Sequence, residues 1–233
     1  MSAEPTGNPV VIVAAHNEAE RIGATLEALA RAFPGAQVVV ADDASRDDSA
    51  ELALSVGAQV VSRRRPHGKG ANVTAAVETV IDRGDERDPP AFLLCDADLG
   101  ESAGELGSLV DAVETGDCDL AVAAFRDRAG GGFGIALGFA RWAIERRCGY
   151  RARAPISGQR AMSAEVLRAV VPFAPGYGME PAMTIDAVRA GYRLREVELD
   201  LAHRATGRTV GGFLHRARQL WDFGRAYASR RDH

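Results

Sequence analysis

The stretch of sequence that decides the fold is Ala91-Phe92-Leu93-Leu94-Cys95-Asp96-Ala97-Asp98. Its apolar part is short and continuous, which predicts a buried strand. The two aspartates after it place two carboxylates at the point where that strand ends and solvent begins. Because like charges this close repel each other, a hard divalent cation such as Mg²⁺ or Mn²⁺ is a suitable partner for their oxygens. The alternative is a pair of solvated loop acids.

Apolar runs and amphipathic stretches alternate along the rest of the chain. Further strands are predicted over residues 9–15, 37–41, 58–62, 119–125 and 193–199, and helices over residues 18–32, 49–56, 71–81, 106–113, 135–147, 165–171, 180–190 and 210–227. This alternation predicts an α/β fold with a mostly parallel, Rossmann-like sheet and helices on both faces. In such sheets ligands bind outside the carboxyl ends of the strands.

Composition and charge narrow the class of protein. The chain has 233 residues, a net charge of −4 and 46% hydrophobic residues, which is typical of one large globular domain and provides no basic field for nucleic acid. No apolar run reaches the roughly 18 residues of a membrane-spanning helix, and the N-terminus lacks the pattern of a secretory signal. The three cysteines have no C-x-x-C spacing, which indicates reduced thiols. We therefore expect a cytoplasmic protein.

Polar loops follow the first two predicted strands. His16-Asn17-Glu18 comes after the first, and its amide and carboxylate can bond a base or ribose, or can cap the next helix. Asp42-Asp43-Ala44-Ser45 comes after the second, and an acid at a strand end is a common acceptor for ribose or base hydrogens. The alternative there is a local turn that starts a helix.

The third predicted strand is followed by His67-Gly68-Lys69-Gly70, which opens a helix. Glycines let the backbone approach a phosphate, and a helix start favours anions. Lys69 is the only lysine among 28 basic residues, which indicates that this position favours a compact ammonium over the planar fork of arginine. The alternative is chance.

The order of these motifs resembles the GT-A glycosyltransferases of family 2: N-E, then D-D-x-S-x-D, then G-K-G-A, then D-A-D. Segments of the second half, among them residues 171–180 (VPFAPGYGME) and His203-Arg204, look like the glucosyl-3-phosphoglycerate synthases within that group. The resemblance runs from about residue 10 to residue 208. It implies a single GT-A domain over 1–233, with a nucleotide-sugar-binding half at 1–125 and an acceptor half with a closing helix at 126–233.

The resemblance also implies a UDP-sugar donor, a divalent metal (Mg²⁺ or Mn²⁺) and site residues. Contacts to the nucleotide diphosphate fall on Ala15, Asn17, Glu18, Asp43, Ser45, Lys69, Asp96 and Ala97. Metal ligands fall on Asp96, Asp98 and His203. The sugar and acceptor side falls on Gly132, Tyr177, Glu180 and Arg208. The groups expected to carry catalysis are Asp98, Glu180 and Lys69.

Two of these assignments keep alternatives. A lone histidine after a strand, such as His203, is often a surface or capping residue, although imidazole is a common metal ligand. Glu180 is a general base, an acceptor for hydroxyls of the donor sugar, or merely an acid favoured in the first turn of a helix.

The acceptor is the part of the reaction that the resemblance specifies least. In the family the glycine-rich loop continues with Arg-Val-Thr, whereas here Gly132 is followed by Phe133-Gly134-Ile135. The expected partners are a nucleotide-sugar donor and a small anionic acceptor, with no nucleic acid and no transmembrane segment; a homodimer is left open. The alternatives are transfer to a polyprenyl phosphate at the membrane surface, where the arginine-rich segment 203–233 would contribute, and a nucleotide-sugar-binding protein without turnover.

Overall fold

The computed structural model describes residues 8–82, 89–125, 134–201 and 221–230. A seven-stranded sheet forms its centre, in the order β3-β2-β1-β4-β6-β5-β7. The strands are β1 (Val10–Ala15), β2 (Gln37–Asp42), β3 (Gln59–Ser62), β4 (Phe92–Asp96), β5 (Leu120–Phe125), β6 (Arg160–Met162) and β7 (Leu194–Leu199). All neighbouring pairs are parallel except those of β6, which runs antiparallel to β4 and β5. The prediction of an α/β fold with a mostly parallel sheet is confirmed.

Helices cover both faces of the sheet. They are α1 (Ile22–Ala32), α2 (Ser49–Ser55), α3 (Lys69–Asp82), α4 (Gly107–Glu114), α5 (Gly134–Cys148), α6 (Ala164–Val170), α7 (Met179–Arg189) and α8 (residues 221–229). Short 3₁₀ segments precede α4 and α7, at Gly100–Leu106 and Gly176–Gly178. Among the described residues, no helix combines the length and the apolar character needed to cross a bilayer.

Alternating side chains of the central strands supply two cores. Val11 and Val13 of β1 and Leu93 of β4 pack with α1 and α4 on one face. Ile12 of β1 and Leu94 of β4 pack with α3, α6 and α7 on the other. Because successive residues of a strand point to opposite faces, continuous apolar runs are what a sheet covered on both sides requires.

The register brings the polar loops to one edge of the sheet. Ala15 at the end of β1 lies opposite Asp42 at the end of β2, and Ala14 lies opposite Asp96 at the end of β4. The carboxyl ends of these three parallel strands therefore meet, as the sequence predicts.

Three differences from the predicted elements affect the site. The helix expected from residue 18 begins at Ile22, because Asn17 has a left-handed backbone (φ 57°) and residues 18–21 form a turn. The helix expected from residue 71 begins at Lys69. Strand β6 was not predicted, since its residues Arg160–Met162 do not form an apolar run. Of the helix predicted over residues 210–227, residues 210–220 lie outside the described part.

Candidate active site

The loops after β1 and β2 are bonded to each other. The Asn17 backbone N–H donates to Ser45 Oγ at 2.9 Å, and the Arg46 N–H donates to Asn17 Oδ1 at 2.8 Å. The Glu18 N–H donates to Ser49 Oγ at 2.8 Å. The N-cap residue of α1 is Arg21, and its side chain makes no capping bond. Asn17 and Ser45 hold the shape of a loop pair at the edge of the sheet, next to the buried Ala15.

Asp43 links this loop pair to the loop before α3. Its carboxylate is buried and accepts the backbone N–H groups of His67 at 2.8 Å and of Gly68 at 2.9 Å. Two bonds from backbone N–H groups fix the position of this carboxylate. The residue expected to contact the nucleotide therefore also orients the segment that presents Lys69.

Lys69 lies between two carboxylates that come from distant parts of the chain. Its Nζ is 2.6 Å from Asp96 Oδ1 and 2.9 Å from Glu180 Oε1. Glu180, in the first turn of α7, is only 6% exposed, and the Lys69 and Asp96 side chains are 28% and 31% exposed. Burial alone would lower the pKa of Lys69, but the attraction of Asp96 and Glu180 and their hydrogen bonds raise it well above its ordinary value. The ammonium thus remains charged at neutral pH and joins the two acid-bearing elements.

Asp96 has a second partner that the sequence did not indicate. Gln159 Nε2 donates to Asp96 Oδ2 at 2.9 Å. The preceding Gly158 packs so closely that a Cβ there would lie 2.4 Å from Lys69 Nζ and 2.6 Å from Asp96 Oδ2. Both residues come from the turn before β6, so the unpredicted strand supplies one wall of the site.

Asp98 follows β4 in a segment whose backbone is held by hydrogen bonds with Arg21 and Thr25 of the first α-helical region. Arg21 Nη1 donates to the Asp98 carbonyl at 3.1 Å. Thr25 donates its hydroxyl to the Ala97 carbonyl at 2.7 Å and accepts the Gly100 N–H at 2.8 Å. These bonds hold Asp98, which is partly buried, at the carboxyl edge of the sheet.

The two aspartates have the donor chemistry that Mg²⁺ or Mn²⁺ prefers, because both offer carboxylate oxygens at the edge of the sheet. In the described ranges, no three His, Cys, Asp or Glu side chains are grouped so that they enclose a metal ion. A Mg²⁺ ion is commonly bound through only one or two carboxylates, with substrate phosphates and water completing its coordination. The residues therefore fit a cation that binds jointly with an anionic ligand.

Tyr177 lies in the segment that leads into α7, and α8 packs against that segment. The Tyr177 N–H donates to Asp222 Oδ2 at 3.2 Å, and Phe223 packs in a cluster that includes Tyr177. Gly176 has φ 61°, and a Cβ at this residue would lie 2.1 Å from Asp222 Oδ2. The predicted residues Gly132, His203 and Arg208 lie outside the described residues.

The glycines beside Lys69 have a packing role that the sequence did not reveal. A Cβ on Gly70 would lie 1.9 Å from the Ala174 carbonyl oxygen, and a Cβ on Gly68 would lie 3.5 Å from the Gly176 backbone. The start of α3 and the segment before α7 therefore touch through backbone atoms. This contact is what brings Lys69 and Glu180 within bonding distance.

We expect Gly70→Ala to separate these two segments. The clash is with a backbone oxygen, so the variant should lose about 1–3 kcal/mol of stability, as overpacked sites do, and should lose activity because Lys69 and Glu180 move apart. Thermal unfolding and turnover measure both effects. Gly138→Ala on α5 is the matched control, since nothing lies near its Cβ and alanine favours a helix by about 0.5–1 kcal/mol. A Gly70→Ala protein as stable and active as the control would contradict the packing role.

Comparison with known proteins agrees with this geometry. A family model described as Glycosyl transferase family 2 matches residues 10–169. An undecaprenyl-phosphate mannosyltransferase from Micrococcus luteus is 28% identical over 219 residues, covering 85% of this chain and 85% of that protein. An uncharacterized glycosyltransferase from Mycobacterium tuberculosis is 30% identical over 210 residues, covering 88% of this chain and 90% of that protein.

Among solved structures, glucosyl-3-phosphoglycerate synthase from Mycobacterium tuberculosis superposes on 98% of this chain and 82% of its own chain. The identity is 26%, with a TM-score of 0.78 for its complex with phosphoglyceric acid and 0.76 for its complex with Mn²⁺, UDP and glucosyl-3-phosphoglycerate. The matched family model covers well over half of the chain, and the fold matches that of GT-A structures. The chain belongs to glycosyl transferase family 2 and is a glycosyltransferase.

Proposed function

We propose that this glycosyltransferase moves a sugar from a UDP-sugar to an anionic acceptor with the help of Mg²⁺ or Mn²⁺. The observation that carries the proposal is the junction of Lys69 with Asp96 and Glu180 at the carboxyl edge of the sheet, next to the segment that carries Asp98. The solved mycobacterial synthase, which was crystallised with Mn²⁺ and UDP-glucose, supports the donor and the metal.

The charges of the site support a metal requirement on physical grounds. The Lys69 ammonium is bonded to two carboxylates, those of Asp96 and Glu180, and Asp98 adds a third acid two residues after Asp96. A nucleotide diphosphate brings further negative charge, which this cluster would repel. A divalent cation bound with the diphosphate would reverse that repulsion and would stabilise charge on the leaving diphosphate.

The residues of the chain then divide the work by position. The paired loops after β1 and β2 present Asn17, Glu18, Asp43 and Ser45 toward the nucleoside. Asp96 and Glu180 hold Lys69 in place and raise its pKa. In this proposal its ammonium supplies positive charge close to the diphosphate. Glu180 is buried beside Lys69, a position suited to accepting hydroxyl hydrogens of the donor sugar or to acting as general base.

A thermal-shift screen tests the donor assignment. A ligand that binds the native state raises the melting temperature by mass action, so UDP and UDP-sugars should raise it in the presence of Mn²⁺, and other nucleoside diphosphates should raise it less. A larger shift with a guanosine or thymidine diphosphate would refute the uridine assignment while leaving the class of enzyme intact.

The leading acceptor is a small anionic metabolite, and the second candidate is a polyprenyl phosphate. The small anionic acceptor is supported by the mycobacterial synthase, which was crystallised with phosphoglyceric acid. The polyprenyl phosphate is supported by the Micrococcus luteus relative, which is named for a lipid phosphate. Both acceptors present a phosphate, so cationic side chains on the acceptor side would serve either one. The lipid acceptor would also require a peripheral position at a membrane surface.

We expect 3-phosphoglycerate to be a poor acceptor. In the sequence, Gly132 is followed by Phe133-Gly134-Ile135, which provides no cationic side chain where the resembling synthases have Arg-Val-Thr. The measurement is UDP release with 3-phosphoglycerate, with other phosphorylated metabolites and with a polyprenyl phosphate in detergent micelles. Turnover of 3-phosphoglycerate with kcat/KM of about 10⁴ M⁻¹s⁻¹ or above, ordinary for an enzyme on its own substrate, would contradict this expectation.

A further inference from the structure

Arg160 at the start of β6 is the largest fully buried side chain of the described residues, with a relative exposure of 1%. Its guanidinium bonds to two neutral oxygens: Nε donates to the Ser157 carbonyl at 2.8 Å, and Nη1 donates to Thr184 Oγ1 at 2.9 Å. Its Nη2 is buried without a hydrogen-bond partner. Burying a cation in this way is costly, so the side chain needs an explanation other than stability.

One of the two bonds holds the turn beside Asp96. The Ser157 carbonyl that Arg160 binds begins the turn of Gly158 and Gln159. Gly158 packs against Lys69 Nζ and the Asp96 carboxylate, and Gln159 donates to Asp96 Oδ2 at 2.9 Å. The position of Asp96 thus depends on a turn that Arg160 holds through its bond to the Ser157 carbonyl.

The other bond holds the first turn of α7. Thr184, which accepts from Arg160, donates its hydroxyl to the Glu180 carbonyl at 3.1 Å. Thr184 is itself buried. The Glu180 backbone is therefore joined to Arg160 through one hydroxyl, and the Glu180 carboxylate reaches Lys69 at 2.9 Å.

We propose that Arg160 is a positioning residue that clamps the turn carrying Gly158 and Gln159 to the first turn of α7, and so fixes the distance between Asp96 and Glu180. Both acids bond Lys69, and the single guanidinium of Arg160 bonds both the turn before β6 and helix α7. A planar fork with separate N–H groups suits this task, whereas an ammonium is a single point. Burial lowers the pKa of Arg160 to about 10 although the charge of Glu180 acts in the opposite direction, so the group stays protonated at neutral pH.

The kinetic test of this inference rests on the proposed function, whereas hydrogen exchange tests the clamp without any assumption about the reaction. Arg160→Met, which removes the fork and keeps much of the volume, should lower kcat about 10²-fold, the loss typical of a small misplacement of reacting groups. Arg160→Lys should not restore the rate, because one ammonium cannot replace both N–H contacts. Hydrogen exchange should become faster in both clamped segments, residues 157–159 and the first turn of α7.

Two further variants separate the arms of the clamp. Gln159→Leu removes the bond to Asp96 and the bond that Gln159 accepts from the Ser157 hydroxyl, and it should weaken Mn²⁺-dependent UDP binding more than it lowers kcat. Thr184→Val removes the hydroxyl that accepts from Arg160 and donates to the Glu180 carbonyl, and it should lower kcat while leaving the dissociation constant of UDP with Mn²⁺ unchanged. These variants also test the proposal if Arg160→Met fails to fold.

The control for a purely structural role is Leu29→Ala on α1, a fully buried residue in the core on the opposite face of the sheet. It should lower the melting temperature and leave kcat unchanged well below that temperature. Arg160→Met behaving in the same way, or wild-type exchange rates in both segments, would overturn the clamp. If the wild-type protein neither binds UDP with Mn²⁺ nor transfers sugar, the proposed function fails, and the exchange rates still decide the clamp.

Discussion

Asp98→Ala should remove nearly all glycosyl transfer while leaving the protein folded. The residue follows β4 at the edge of the sheet and is partly buried, and the bonds that hold this segment involve the backbone of residues 97, 98 and 100 together with Arg21 and Thr25. Its carboxylate is the one we propose as a metal ligand. Loss of charge stabilisation worth several kcal/mol corresponds to a rate loss of about 10³-fold or more.

The measurement is kcat with UDP-sugar across a Mn²⁺ titration, together with the melting temperature. Asp98→Asn serves as the isosteric control for shape and should be nearly as inactive, because the amide removes the charge. Asp117→Ala, which removes an exposed acid paired with Arg195, should leave activity unchanged. An Asp98→Ala enzyme with more than a tenth of the wild-type rate, or wild-type turnover in EDTA, would contradict a metal role.

Lys69→Ala has the second large expected effect, and it acts on both stability and donor binding. The ammonium joins Asp96 and Glu180, so its removal leaves two carboxylates facing each other without a cation. Breaking a buried ion pair by removing one partner typically costs about 3–5 kcal/mol, and we expect less here because the Lys69 side chain is 28% exposed. Affinity for UDP should fall by the roughly 1.5–3 kcal/mol typical of hydrogen bonds to charged groups.

Calorimetry with UDP and with uridine separates the two effects. If Lys69 contacts the diphosphate directly, Lys69→Ala should weaken the binding of UDP and leave the binding of uridine unchanged. Lys69→Met is the control for the lost side-chain volume. Equal losses for both ligands would show that Lys69 acts by shaping the pocket. Since the pKa of Lys69 is raised by its two acids, UDP affinity should show no titration of this group between about pH 6 and pH 9.

Much of the fold is predictable because the central strands are continuous apolar runs in the sequence. Apolar runs such as those around Val11 and Leu93 are short and continuous, which is typical of buried strands, and the aspartates after β4 mark the edge at which a parallel sheet binds its ligand. The meeting of the loops after β1, β2 and β4 follows directly from the parallel order of these strands.

The other wall of the site was not predictable from residue patterns. Strand β6 has three residues and begins with a buried arginine, so neither its length nor its polarity resembles a core strand. The residues of the surrounding hydrogen-bond network, Ser157, Gln159 and Thr184, are polar residues of ordinary type, and this buried network arises only from tertiary contacts. The glycines beside Lys69 predict room for a phosphate, but nothing in the sequence indicates that Gly70 also makes room for the carbonyl of Ala174. Close backbone contact between distant segments leaves no periodic signal in a single sequence.

The central claim is that the acids at the end of β4 bind a divalent metal together with a uridine diphosphate. Titration calorimetry of the full chain with UDP, in Mn²⁺ and again in EDTA, tests it most directly. We predict that Mn²⁺ tightens UDP binding by at least about tenfold, equivalent to about 1.4 kcal/mol. Equal affinity in Mn²⁺ and in EDTA would contradict the account.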